Sequence, residues 1–191
     1  VRLGHDVFTT GKLNPATVEA ALKVLADFKA MANQYRVKTI RAVGTSALRE
    51  AADGKTFVRR ARKAGIPLEL LSEEDEARLI SAGIMSGLRF HLPLGLFLDI
   101  GGGSLELAVA NTTNVFCLFS LPLGAVRLTE AFFSGDPPRR KEIKNLRQYV
   151  QHKLAAAVRR VAKEKFTMAF GSGGAITAQL SFLSRDITHI V

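Results

Sequence analysis

The sequence has a single cysteine, no tryptophan, and only 7% aromatic residues in 191. With one thiol, Cys117, an internal disulfide and a cysteine-built zinc site are both excluded. That usage favours a reducing compartment, so a cytoplasmic location is expected, and the apolar neighbours Val115, Phe116, Leu118 and Phe119 mark Cys117 itself as core. The few aromatics do not interleave with the basic clusters as a base-stacking platform requires, which argues against specific nucleic-acid recognition. No apolar run reaches the roughly 20 residues needed to span a bilayer. The nearest, Leu92 to Ile100, follows Arg89 and His91 and reads as a buried strand, so no membrane association is expected. His5, His91, His152 and His189 show no metal-ligand spacing and receive no role. Internal repeats and low-complexity tracts are also missing. Val1 to Asp6 lack a starting Met and the apolar stretch of a signal peptide, so the chain is expected to begin within a longer protein.

What is present is the composition of a folded protein with a cationic surface: 47% hydrophobic, 23% charged, and 27 Lys+Arg against 17 Asp+Glu for a net charge of +10. The length allows one large domain or two small ones. The clusters Arg59-Arg60-Ala61-Arg62-Lys63, Arg139-Arg140-Lys141 and Arg159-Arg160 would attract polyanions in a salt-dependent way, although such runs are ordinarily solvated helix faces.

Periodicity predicts an alternation of helices and strands. Asn14-Pro15 caps a long helix from about Ala16 to Tyr35, with Val18, Ala21, Leu22, Leu25, Phe28 and Ala32 at helical spacing. A strand over Val37 to Val43, a helical start at Thr45-Ser46 carrying Arg49, a helix over Thr56 to Ala64 ended by Gly65, and a strand over Ile66 to Leu71 follow. Ser72 precedes an acid-rich helix whose stripe is Leu79, Ile80 and Ile84. Strands over Leu94 to Asp99 and Ser104 to Ala110 form a hairpin, and Val115 to Leu121 is the next strand. A helix after Gly124 runs to Phe133, and Ser134 to Pro138 is the sharpest break and boundary signal. Beyond it come a basic helix over Arg139 to Lys163, with Val150, Leu154, Ala157, Val158 and Val161 on one face, a strand over Phe166 to Phe170, a glycine turn, and a helix over Ala175 to Leu183.

Chemistry is concentrated at Asp99-Ile100-Gly101-Gly102-Gly103-Ser104-Leu105-Glu106. Three glycines let backbone amides approach an anion without Cβ obstruction, while Asp99 can support a divalent cation and Glu106 can orient or deprotonate water. The plain alternative is a glycine hairpin with two solvated carboxylates. Gly171-Ser172-Gly173-Gly174, between a strand and a helix, is a second phosphate-binding candidate whose alternative is a tight turn. Glu73, Glu74, Asp75 and Glu76 crowd one helical turn, which suits the macrodipole and could also supply a general base. Arg49, just past a strand, could reach a phosphate with its planar fork.

Taken in order, these segments resemble the exopolyphosphatase and guanosine pentaphosphate phosphatase (Ppx/GppA) family of the actin-like ATPase superfamily. The collinear stretches are Val1 to Gly4, Thr10 to Leu13, Thr45 to Ala51, Ser72 to Ile80, Asp99 to Glu106, Leu121 to Glu130 and Gly171 to Gly174. The resemblance implies an α/β, actin-like (ribonuclease H-like) two-lobed fold with mixed sheets flanked by helices. Residues 1–93 would be the remainder of an incomplete first lobe and 94–191 the second. It implies hydrolysis of a terminal phosphoanhydride in polyphosphate or guanosine pentaphosphate with Mg²⁺, and dimerisation. It assigns water activation to Glu76, a second catalytic and metal-side role to Glu106, and the metal-side aspartate to Asp99. Phosphate contacts fall to Arg49, to Gly101, Gly102, Gly103 and Ser104, and to Gly171, Ser172, Gly173 and Gly174. The chain departs from the family pattern at Glu73, where Gly is usual, at Asp75 and at Asp53, and it lacks the family's opening Asp-x-Gly-Ser-Asn loop, so it is expected to be a fragment. The readings kept beside hydrolysis are a non-catalytic polyanion- or nucleotide-binding module and phosphotransfer to an acceptor.

Overall fold

The computed structural model describes residues 1–87 and 94–183, and its chain divides into two compact units, Val1–Ser72 and Glu73–Val191. His91, His189 and the start of the Leu92 to Ile100 run lie outside the described residues.

In the first unit the order is α1 (Val7–Thr10), α2 (Pro15–Gln34), β1 (Ala42–Gly44), α3 (Ser46–Glu50), α4 (Gly54–Lys63) and β2 (Leu68–Leu70). Helix α2 starts where the sequence places it, because the Asn14 side chain accepts from the amides of Ala16 and Thr17 and Pro15 fills the first helical position. Val18 and Ala21 enter a core with Val7, Leu13, Leu48, Phe57, Ala61 and Leu68. The expected stripe continues through Leu22 and Leu25, which pack against this core, and fails at Phe28, which is 59% exposed. Asp53 accepts from the Leu13 amide at 3.0 Å.

Both strands of this unit are shorter than expected. Val37 to Val43 contracts to Ala42–Gly44 and Ile66 to Leu71 to Leu68–Leu70, in parallel register from Ala42↔Leu68 to Gly44↔Leu70. Strand length is set by the partner's extent, and these two pair only with each other among the described residues.

The second unit holds α5 (Glu73–Gly87), β3 (Gly95–Ile100), β4 (Leu105–Ala110), β5 (Val115–Leu121), α6 (Ala125–Phe132), α7 (Arg140–Val161), β6 (Met168–Ser172) and α8 (Gly174–Leu183). Its four-stranded sheet has the order β5-β4-β3-β6, with β3, β4 and β5 an antiparallel meander and β6 parallel to β3. Every residue of β4 is buried, as its place between two neighbours demands. Alternation splits the sheet into two faces. Phe97, Ala108 and Ala110 pack with Ile84 and Met85 of α5, and the Phe97 and Phe170 rings stack at 5.1 Å. On the other side Leu107 and Val109 meet Val161 of α7 with Leu96, Leu98 and Phe119.

Two expectations change here. The stripe of α5 runs through Ala77, Ser81, Ile84 and Met85, while Leu79 is 57% exposed. The break at Ser134 to Pro138 is a loop within this unit, and α6 and α7 pack on each other across it, with the Phe132 and Tyr149 rings 5.1 Å apart.

Candidate active site

Strand pairing places a single polar row across the sheet. Asp99 of β3 lies directly opposite Glu106 of β4, Glu106 lies opposite Ser120 of β5, and Asp99 is paired on its other side with Ser172 of β6. Directly opposed residues share a face with their Cβ atoms roughly 5 Å apart, so two carboxylates stand side by side between two hydroxyls. Ser120 Oγ donates to Glu106 Oε1 at 3.1 Å and Ser172 Oγ to Asp99 Oδ1 at 2.5 Å. The row occupies the face that carries Phe97 and Ala108, the one covered by α5, and so the acidic first turn of that helix serves the same end of the sheet.

Glu106 is only 3% exposed, which removes the solvated-carboxylate alternative. Burial pushes its carboxyl above the ordinary range, with the charges of Glu76 and Asp99 adding to the effect and the Ser104 and Ser120 hydroxyls opposing it. Glu76 is therefore within electrostatic reach of Glu106, bringing three acids into one field. Carboxylates oriented by hydroxyls, as Asp99 and Glu106 are, have the hard-oxygen donor chemistry that divalent cations take.

Between the two acids runs the glycine loop. Gly101 N donates to Ser104 O at 3.1 Å, closing the turn, and Ser104 is buried with its hydroxyl engaged by Glu106. Gly124, before α6, fits against the loop so closely that a Cβ there would lie 2.4 Å from backbone atoms of Gly102 and Gly103. Arg127 of α6 donates from Nε to the Gly103 carbonyl at 2.6 Å.

The second glycine stretch is tighter than the expected four-residue turn, because β6 continues through Gly171 and Ser172 to complete its register with β3. Only Gly173 turns, at φ 92°, and a Cβ on it would press to 2.5 Å from Ile100 O and 2.9 Å from Asp99 Oδ1. Gly174 begins α8. The two glycine segments thus meet at Asp99. Arg49 belongs to the first unit, where its Nη1 donates to the Leu71 carbonyl at 2.9 Å.

Sequence reasoning missed Ser120, Gly124 and Arg127 as parts of the site. A lone hydroxyl in the apolar strand Val115–Leu121 was the available signal for the first. The other two lie in the stretch Leu121 to Glu130, which entered the reading only as a resemblance.

A model of the Ppx/GppA phosphatase family matches residues 1–184. Exopolyphosphatase 2 of Mycobacterium tuberculosis is 30% identical over 194 residues, covering 98% of this chain and 60% of its own length. Exopolyphosphatase 1 of Mycobacterium leprae is 32% identical over 158 residues, covering 82% and 47%. Among solved structures, the exopolyphosphatase from Cytophaga hutchinsonii superposes with a TM-score of 0.86 at 25% identity, covering 97% of this chain and 61% of that one. The Ppx/GppA family member from Aquifex aeolicus gives 0.74 at 29% identity, covering 98% and 60%. The chain therefore spans less than two thirds of the length of each. Its helix-flanked mixed sheets are those of the actin-like fold expected from the resemblance.

Proposed function

Because the chain belongs to the Ppx/GppA phosphatase family, we propose that it takes part in releasing terminal phosphate from inorganic polyphosphate by water attack, with guanosine pentaphosphate as the competing substrate. The observation that carries this reading is the juxtaposition of an acid pair, the half-buried Asp99 and the buried Glu106, with a glycine loop at one end of the β3–β4 hairpin, within the field of Glu76. The relatives named exopolyphosphatases support polyphosphate as the first substrate to test.

In this reading Glu76 accepts a proton from water as the water oxygen bonds to the terminal phosphorus. The bridging P–O bond breaks, orthophosphate leaves, and the remaining chain, one phosphate shorter, carries away the electron pair of that bond. Amides of the glycine loop face the charge that gathers on the phosphate oxygens. Asp99 and Glu106 would hold a divalent cation, which supplies positive charge beside those oxygens. Ser172, whose hydroxyl is spent on Asp99, acts by orienting that acid, and Gly173 keeps the space beside it clear. Arg49 is a candidate phosphate contact on the family resemblance alone. The lobe boundary at residues 93 and 94 and the homodimer belong to the same proposal.

Glu76→Gln in the full chain is expected to slow phosphate release from polyphosphate by about 10²–10⁴, the usual contribution of a general base. An unchanged rate removes Glu76 from the mechanism. Salt-sensitive polyphosphate binding with no release, Mg²⁺ present, would instead favour the non-catalytic binding module.

A further inference from the structure

Three successive glycines have more backbone freedom than any other tripeptide, so an anion cradle made of them needs something to hold it. Helix α6 supplies that. The amides of Ala125 and Arg127 donate to the carbonyls of Gly101 and Gly102 at 2.9 and 3.0 Å, and Arg127 Nε donates to the carbonyl of Gly103 at 2.6 Å. Gly124 permits the approach, because any side chain there would collide with the Gly102 and Gly103 backbone.

In a planar trans peptide the N–H points opposite to the C=O. Tying the carbonyls of Gly101, Gly102 and Gly103 toward α6 therefore turns the amides of Gly102, Gly103 and Ser104 to the opposite side. If a carbonyl rotated round, it would present negative charge to an anion and repel it. The first two peptides are held by main-chain donors, which no substitution except proline removes. The third is held by a side chain.

We infer that Arg127 is a positioning residue whose Nε fixes the Gly103–Ser104 peptide, so that the glycine loop offers amides and no carbonyl to a bound phosphate. The inference rests on the proposed phosphate-cradle reading. It makes Arg127 act through the loop, by the geometry of its planar fork and not by charge alone.

The test pairs two measurements on the full chain: ¹⁵N relaxation of the Gly103 and Ser104 amides, and the affinity for tripolyphosphate by titration calorimetry. Arg127→Met keeps an apolar stem and removes the donor. It is expected to lower the order of both amides and to weaken tripolyphosphate about tenfold, the worth of one charge-assisted hydrogen bond. Arg127→Lys keeps the charge, lacks the fork, and is expected to resemble Arg127→Met; it carries the test if the methionine variant does not fold. Unchanged amide order and affinity in Arg127→Met, or full recovery with lysine, overturns the inference. A wild-type chain that takes up no tripolyphosphate overturns the cradle reading itself and this role with it, a result separable from the first because it appears before any substitution.

Discussion

At 3% exposure, the Glu106 carboxylate depends on the hydroxyls that reach it, and Ser120 is the one contributed from the neighbouring strand. Ser120→Ala leaves a buried acceptor with one donor fewer and is expected to cost about 1 kcal/mol, read as a lower urea midpoint at unchanged slope. Urea unfolding with the same midpoint would mean that the bond contributes nothing. The partnership could not be counted out from the sequence. Starting at the Asn111 to Asn114 turn, Ala110 pairs with Val115, and simple counting would put Phe119 opposite Glu106. A bulge between Val109 and Ala110 shifts the register by one, and Ser120 arrives on the acid face in its place. Asp99 and Glu106, by contrast, were legible as a pair, since both flank one short glycine turn.

Elements show the same division between local signals and pairing. The start of α2 follows from Asn14-Pro15, and the end of α4 from Gly65, which adopts φ 77° just past the last turn. Helix α7 begins at a similar local device: Glu142, three residues in, accepts from the Arg139 amide at 2.7 Å and from the Ser134 amide and hydroxyl. These bonds, the Arg139 amide first, hold the Glu142 carboxyl below its ordinary range. A carboxyl lowered in the folded state contributes stability above its unfolded pKa and loses it as pH falls through the folded one. Glu142→Gln is therefore expected to melt at a lower temperature than the parent at neutral pH, with the gap closing on acidification below the carboxylate range. A gap independent of pH would show that the amide caps as well as the carboxylate does. The buried stripe of α5 had no such local marker. Small residues, Ala77 and Ser81, let the helix approach the sheet, and Leu79 is left outside.

Over the whole molecule the excess of 27 cationic over 17 anionic side chains sets the long-range field. Anion capture is expected to combine a local cradle with this diffuse attraction, so polyphosphate affinity should fall steadily as salt is raised from low to physiological levels. Calorimetric titrations at two or more ionic strengths check it, and an affinity indifferent to salt would confine recognition to short-range contacts. Among the described residues no helix is long and apolar enough to cross a membrane, in keeping with the short apolar runs. What the sequence determined by itself was everything encoded within a few residues: caps, glycine turns, the acid-glycine-acid motif, the cationic balance and, through motif order, the family. What only the tertiary structure decided was everything that needs a partner strand or helix. Strand lengths in the first unit, the serine-acid-acid-serine row, and the clasp of Gly124 and Arg127 on the loop depend on residues far apart in the chain. Hydrogen-bond register and close backbone approach are properties of pairs, and a linear pattern specifies only one member of each.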